Sequence, residues 1–146
     1  MGQEETYRSG TWSGAASPDV HKPRPIHLAA EHTVDTKRKL VIVQFRKKLT
    51  VRDVERYARL LRANPSFKPS FSEIVDLREV EEVDLQADGF LKLADEIDPF
   101  SPDAKRAFVA KSPVQNHAAR MHKILRTQRN IEIFRTIEEA ERWIES

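Results

Sequence analysis

Five carboxylates crowd into nine residues of this chain: Asp76, Glu79, Glu81, Glu82 and Asp84. Such a cluster could hold a hard cation, which needs several oxygens converging at about 2.0–2.6 Å. The spacing matches no known loop of that kind, such as an EF-hand, so no metal is assigned. Negative charge has a simpler use at a helix N-terminus, where it is favoured by about 0.3–1 kcal/mol per group. Asp84 is expected to cap a helix there, with Asp88 close behind. Two histidines, His117 and His122, stand five apart rather than at the i, i+4 spacing of a helical zinc pair. Arg120, one turn beyond His117, could pair with Asp76 or Asp84 or hold an anion, and a structural ion pair is the simpler expectation. No Ser-His-Asp or Cys-His set can be assembled from motifs. The chain has no cysteine, which removes disulfides, zinc-thiolate sites and thiol nucleophiles together. Phosphate-cradling loops need glycines where backbone and phosphate approach closely, and beyond the N-terminal quarter the only glycine is Gly89. No catalytic residue and no cofactor site are assigned, and the chain is expected not to be an enzyme.

The 146 residues suit one domain and a tail. Residues 1–25 hold three of the four glycines, three of the eight prolines and few aliphatics. Such a segment buries too little apolar surface to offset the entropy of ordering it, so a disordered tail is expected, with the domain over 26–146. Two basic clusters, Lys37-Arg38-Lys39 and Arg46-Lys47-Lys48, flank one expected strand and so lie roughly 20 Å apart at about 3.3 Å per residue. They make two rims rather than a nucleic-acid groove, and nucleic acid is not expected as a partner. No apolar run is long enough to span a membrane, and the N-terminal residues lack the apolar stretch of a secretory signal. A cytoplasmic protein is expected.

The elements that must position these residues follow from periodicity. Alternation of Ile26, Leu28, Ala30, His32 and Val34 predicts a half-buried strand. The continuous apolar run Leu40–Phe45 predicts a strand buried on both faces, joined to the first as a hairpin. Thr50 and Asp53 form a capping box, with Asp replacing the usual Glu, before a helix whose inner face is Val54, Tyr57, Ala58 and Leu61. Glu73–Leu77 reads as a central strand, followed by an acidic loop and a helix from about Leu85 to Ile97. Arg106–Ala110 reads as a strand, residues 114–128 as a helix and Ile131–Phe134 as a short strand. Thr136 and Glu139 box the start of a final helix. Strands alternating with helices imply parallel crossovers. The class is α/β with order β-β-α-β-α-β-α-β-α.

That order, with Asp76 ending a strand and Asp84 before the next helix, resembles the STAS fold of anti-sigma-factor antagonists. The chain is more closely similar to the SpoIIAA-like (STAS/SEC14-like) group of bacterial proteins. Asn64-Pro65-Ser66-Phe67 through Val75-Asp76-Leu77-Arg78 is similar to that group's "dp.f…lvDlr". His117–Met121 is similar to its "glaRm" helix, and Phe134–Ala140 through Trp143-Ile144 to its "vFrd.eeAl.Wl" ending. Together these words span about residue 26 to the C-terminus.

The resemblance implies a small regulatory or binding domain without catalysis. Phosphorylatable STAS proteins carry a serine just after the Asp that opens the second helix. Alignment on Asp84 places Leu85 and Gln86 there, and alignment on Gly89 places Ala87 and Asp88. Between Ser72 and Ser101 the chain has no Ser or Thr at all, so a phosphorylation switch at this corner is ruled out. Asp88 is the one candidate to imitate a phosphoserine, and a role in the helix start is the simpler expectation. The expected recognition rim runs over Arg46–Leu49, Glu79–Asp84 and Lys111–Ala118, with Asp76, Glu81, Glu82, Asp84, His117 and Arg120 as its candidate residues. A protein partner is expected there, and the resemblance leaves a small apolar or lipid-like ligand as the alternative. Self-association through the hairpin or an edge strand stays open.

Overall fold

The computed structural model describes residues 4–8, 30–126 and 130–146. In chain order these form β1 (Glu4–Arg8), β2 (Ala30–Asp35), β3 (Leu40–Thr50), α1 (Val51–Ala63), β4 (Ser72–Asp84) and α2 (Ala87–Lys92). A π-helical turn over Leu93–Ile97 continues α2, followed by β5 (Arg106–Val109), α3 (Pro113–Arg126), β6 (Ile131–Phe134) and α4 (Ile137–Ile144). The six strands lie side by side in sequence order. β1–β2 and β2–β3 are antiparallel, while β3–β4, β4–β5 and β5–β6 are parallel. Within the segment expected to be a disordered tail, residues 4–8 pair with β2. The rest of 1–25, together with Ile26 and Leu28, lies outside the described residues.

Right-handed crossovers between successive parallel neighbours put every connecting helix on the same face of the sheet. The buried side chains divide accordingly. Val41, Val43, Phe45, Val75, Leu77 and Phe108 point toward α1 and α3 and build the larger core. Leu40, Ile74, Ala107 and Val109 point the other way and are covered by Ala140, Ile137 and Trp143 of α4. The unbroken apolar runs of β3 and β4 are therefore a consequence of two covered faces.

Local chemistry fixes the ends of these elements. Thr50 Oγ1 accepts a hydrogen bond from the Asp53 amide at 3.2 Å and donates to Asp53 Oδ2 at 2.9 Å. Thr136 Oγ1 accepts from the Glu139 amide at 3.1 Å. The Arg62 guanidinium donates to the Ile97 carbonyl at 2.6 Å and so satisfies the end of the π turn. Gly89, inside α2, costs about 1 kcal/mol relative to alanine in a helix. Its reason is proximity to α1: a Cβ there would stand 3.1 Å from Val51 Cγ2.

The structure corrects the acidic loop. β4 runs through to Asp84 because β3 continues as far as Thr50, and the two stay paired along the whole length. Two irregularities disguise this in the sequence. Gln44 faces Asp76 and Arg46 faces Glu79, so Leu77 and Arg78 together oppose one residue of β3. Lys47 then faces Val80 and Lys48 faces Glu82, which leaves Glu81 as a second extra residue. Each extra residue reverses the side-chain alternation, which keeps Leu77, Val80 and Val83 all toward the core. Lys47 adopts a positive φ of 57° at this irregularity. Asp84 thus ends a strand rather than capping a helix. The residue at the N-cap of α2 is Gln86, whose side chain makes no capping hydrogen bond.

Candidate functional site

Beyond Asp76, the last residue of β4 to pair with β5, the β3–β4 pair projects as a two-stranded arm. The expected rim segments Arg46–Leu49 and Glu79–Asp84 are the two strands of this arm. The third segment joins them through Gln115, which is buried near the start of α3. Its Nε2 donates to the carbonyls of Val80 at 2.8 Å and Arg78 at 3.3 Å, while its Oε1 accepts from the amides of Lys111 and Ser112. The bulged edge of β4 and the start of α3 are thereby held together by one side chain.

Asp76 is buried under this rim and does not meet Arg120. Both of its oxygens are taken by Arg78, whose Nε and Nη2 each donate at 2.9 Å, and Gln44 Nε2 adds a third side-chain bond at 3.1 Å. Burial by itself would raise the Asp76 pKa, and the bonds from Arg78 overcome it and hold the carboxyl below its usual range. Gln44 in turn accepts from Arg46, which reaches Glu31 at 3.2 Å. Glu81 and Glu82 are exposed and make no ion pair among the described residues. Asp84 is 3.9 Å from Lys48 Nζ across the arm. His117 is exposed on α3, its ring edge-on to Phe90 with centroids 6.3 Å apart. Arg120 is exposed and unpaired among the described residues. Val114 and Leu91 add exposed apolar surface, 37% and 47% accessible. The arm, Val114 and His117 thus combine carboxylates with apolar contacts.

A second constellation lies inside the larger core, where four elements and the residue after the π turn each supply one polar side chain. Glu73 of β4 accepts from Arg106 of β5, with Nε and Nη2 both 2.8 Å from Oε1. The Tyr57 hydroxyl of α1 donates to Glu73 Oε2 at 2.6 Å. Arg106 Nη1 donates to Asp98 Oδ2 at 2.7 Å, just after the π turn, and His122 Nε2 of α3 stands 3.4 Å from the same oxygen. The side chains of Glu73 and Asp98 are 2% exposed and that of Arg106 4%. Burial raises the Tyr57 pKa well above its ordinary value, and Glu73 adds to the rise. Burial alone would also raise Asp98. The His122 imidazole close by and the Arg106 charge outweigh it and hold the carboxyl well below its usual range.

This cluster forms one end of a cavity of about 70 Å³ whose remaining wall is apolar, including Phe45, Val75, Leu77, Phe90 and Phe108. Sequence reasoning missed the cluster. Its signal was a lone acid and a lone base at the starts of two buried strands, Glu73 before Ile-Val and Arg106 before Ala-Phe. Those two residues are partners in the parallel register. Among the described residues, no group of three or more His, Asp or Glu side chains is arranged to hold a metal ion. No described helix is long and apolar enough to cross a membrane.

Fold and geometry together define a single α/β domain with the SpoIIAA-like fold. It is similar to the crystal structure of an uncharacterized protein from the DUF3478 family with a SpoIIAA-like fold, from Shewanella loihica PV-4. The TM-score is 0.52 at 21% identity, with 72% of this chain and 83% of that chain covered. At that identity the likeness speaks for the fold alone. No protein-family model matches the chain, and no curated protein matches it.

Proposed function

We propose that this is a non-enzymatic, cytoplasmic regulatory domain that binds another protein through the β3–β4 arm and the start of α3. The observation that carries this reading is the projecting edge of β4, where Glu79, Glu81 and Glu82 are exposed and which Gln115 ties to the start of α3, itself carrying the exposed Val114 and His117. Exposed carboxylates on a protruding strand, of which Glu81 and Glu82 form no ion pair among the described residues, suit a partner surface that is basic with apolar anchors. Without a hydroxyl between Ser72 and Ser101, the association is not gated by phosphorylation at this corner. In capture experiments with tagged protein, Glu81→Lys/Glu82→Lys is expected to lose the partners that wild type retains, with an unchanged circular dichroism spectrum. An identical partner set for both proteins would move the binding face elsewhere.

A second reading, binding of a small apolar ligand, is favoured by one observation, the core cavity with polar groups at one end. Its volume is well below the roughly 300 Å³ of a drug-sized site, so the guest would be small. Native mass spectrometry of the purified protein should show an added mass that denaturing conditions remove, and a single bare mass in both counts against it.

A further inference from the structure

We infer that a hollow at the end of the sheet opposite the arm binds a small phosphate ester, held by the ammonium groups of Lys39 and Lys68. The site is separate from both the arm and the core cavity and depends on neither reading.

Two stretches meet where β3 and β4 begin, at the far end from the arm. One is the turn between β2 and β3, and the other is the connection from α1 to β4. Thr36, Lys39, Ser66, Lys68 and Ser70 line an open hollow of about 360 Å³, and Pro65 and Phe71 complete its wall. That volume falls at the lower end of the roughly 300–1,000 Å³ of small-molecule sites. Hydrogen bonds fix the wall. The Ser72 amide donates to the Lys39 carbonyl and the Phe71 amide to the Lys68 carbonyl, each at 2.9 Å. The Ser66 amide donates to Asn64 Oδ1 at 2.8 Å. The polar side chains are thus carried on a frame already set before a ligand arrives, which lowers the cost of binding.

Charge selects the ligand. The wall has two cationic side chains and no carboxylate. Other lysines of the domain find carboxylates: Lys48 meets Asp84, Lys92 meets Glu55 and Lys123 meets Glu132. Lys39 and Lys68 are exposed and form no ion pair among the described residues. The charged neighbours on the turn are otherwise engaged. Asp35 accepts from the amides of Lys37 and Arg38, and the Arg38 guanidinium bonds Glu141 and Glu145. Two like charges at one hollow repel, and a dianion offsets both where a carboxylate offsets one. A phosphate monoester carries about −1.5 to −2 charges at pH 7 and three strong acceptor oxygens, enough for both ammonium groups and the Ser70 hydroxyl.

The test titrates the full chain in low salt at pH 8, above the second pKa of about 6 for such an ester. The probes are phenyl phosphate, benzoate and phenol, followed by amide chemical shifts. Saturating shifts at Lys39, Ser66 and Ser70 are expected with phenyl phosphate, about tenfold more tightly than with benzoate because of the second charge. Phenol is expected to give none. Lys39→Gln/Lys68→Gln, at two exposed positions, should abolish the shifts. Lys92→Gln/Lys123→Gln, which removes the same net charge elsewhere, should leave them intact. Benzoate binding as tightly as phenyl phosphate, saturation by neither, or shifts that survive in Lys39→Gln/Lys68→Gln would each overturn the inference. An equal loss in the two variants would overturn it too, by showing attraction to overall charge alone. Pelleting with phosphatidic acid vesicles that Lys39→Gln/Lys68→Gln abolishes would replace the free ester with a lipid headgroup and refute the assignment.

Discussion

Replacing Arg106 with methionine is expected to cost about 3–5 kcal/mol, the range for stranding buried charges by removing their partner. Arg106 is the only cation among the described residues that bonds directly to both Glu73 and Asp98. Its loss leaves two carboxylates in an apolar core. For a domain of this size the penalty translates to a melting temperature lower by about 10–25 °C. The deficit should depend on pH. In the variant His122 still stands beside Asp98, while Glu73 keeps only the Tyr57 hydroxyl; burial then disfavours the charged form of Glu73, so the folded state takes up a proton first and the deficit shrinks as pH falls from 7 toward 5. Adding Glu73→Gln should recover part of the loss, because one stranded charge is then neutral. Urea unfolding at pH 7 and pH 5 measures all of this. A loss under 1 kcal/mol at pH 7 would mean that the cluster is hydrated and contributes little.

Acid should weaken the wild-type protein earlier than its carboxylates would. His32 on β2 is 2% exposed, edge-on to Tyr57 with ring centroids 5.3 Å apart. Burial lowers its pKa from 6.5 to about 4. Below pH 6.5 the unfolded chain binds a proton that the folded one refuses, so stability falls with pH down to about 4, where the folded ring also charges. At about 1.4 kcal/mol per pH unit, the loss over that window is on the order of 3 kcal/mol. Asp76 and Asp98, held below their usual range by Arg78 and by His122 with Arg106, add their own losses only at lower pH. His32→Leu should flatten the curve between pH 6.5 and 4. A wild-type curve that is flat over that window, or a slope that survives in the variant, would show that His32 titrates as an ordinary surface histidine.

Much of the fold was legible because short-range rules govern it. Thr50 and Thr136 announced two helix starts, and the apolar run from Leu40 announced a buried strand. The hairpin followed from the polar turn between two such segments. The extent of β4 was hidden because bulges at Leu77–Arg78 and Glu81 break the two-residue period by which strands are recognised. Glu81 and Glu82 therefore read as loop residues, and Asp84 as a cap.

The site was less legible for a related reason. Asp76 and Arg120 carry opposite charges and were natural candidates for a pair, yet Arg78, two residues from Asp76, reached it first. Glu73 and Arg106 are 33 residues apart. Only the neighbouring of β4 and β5, in a register no local pattern encodes, turns two isolated charges into one buried pair.

Strands that lie in space in the order in which they occur along the chain make assembly vectorial. Each new strand from β2 to β6 adds to the edge left by its predecessor and never has to insert between two already paired. Each parallel addition closes only the single helical crossover between neighbouring strands, and growth can keep pace with synthesis from the N-terminal side. The exception is the face covered by α4. Leu40, Ile74 and Val109 are in place well before Ala140 and Trp143 have been made, so this face is bare on the nascent chain until the last helix arrives. Helix α4 therefore acts as a seal on a sheet whose described strands all precede it.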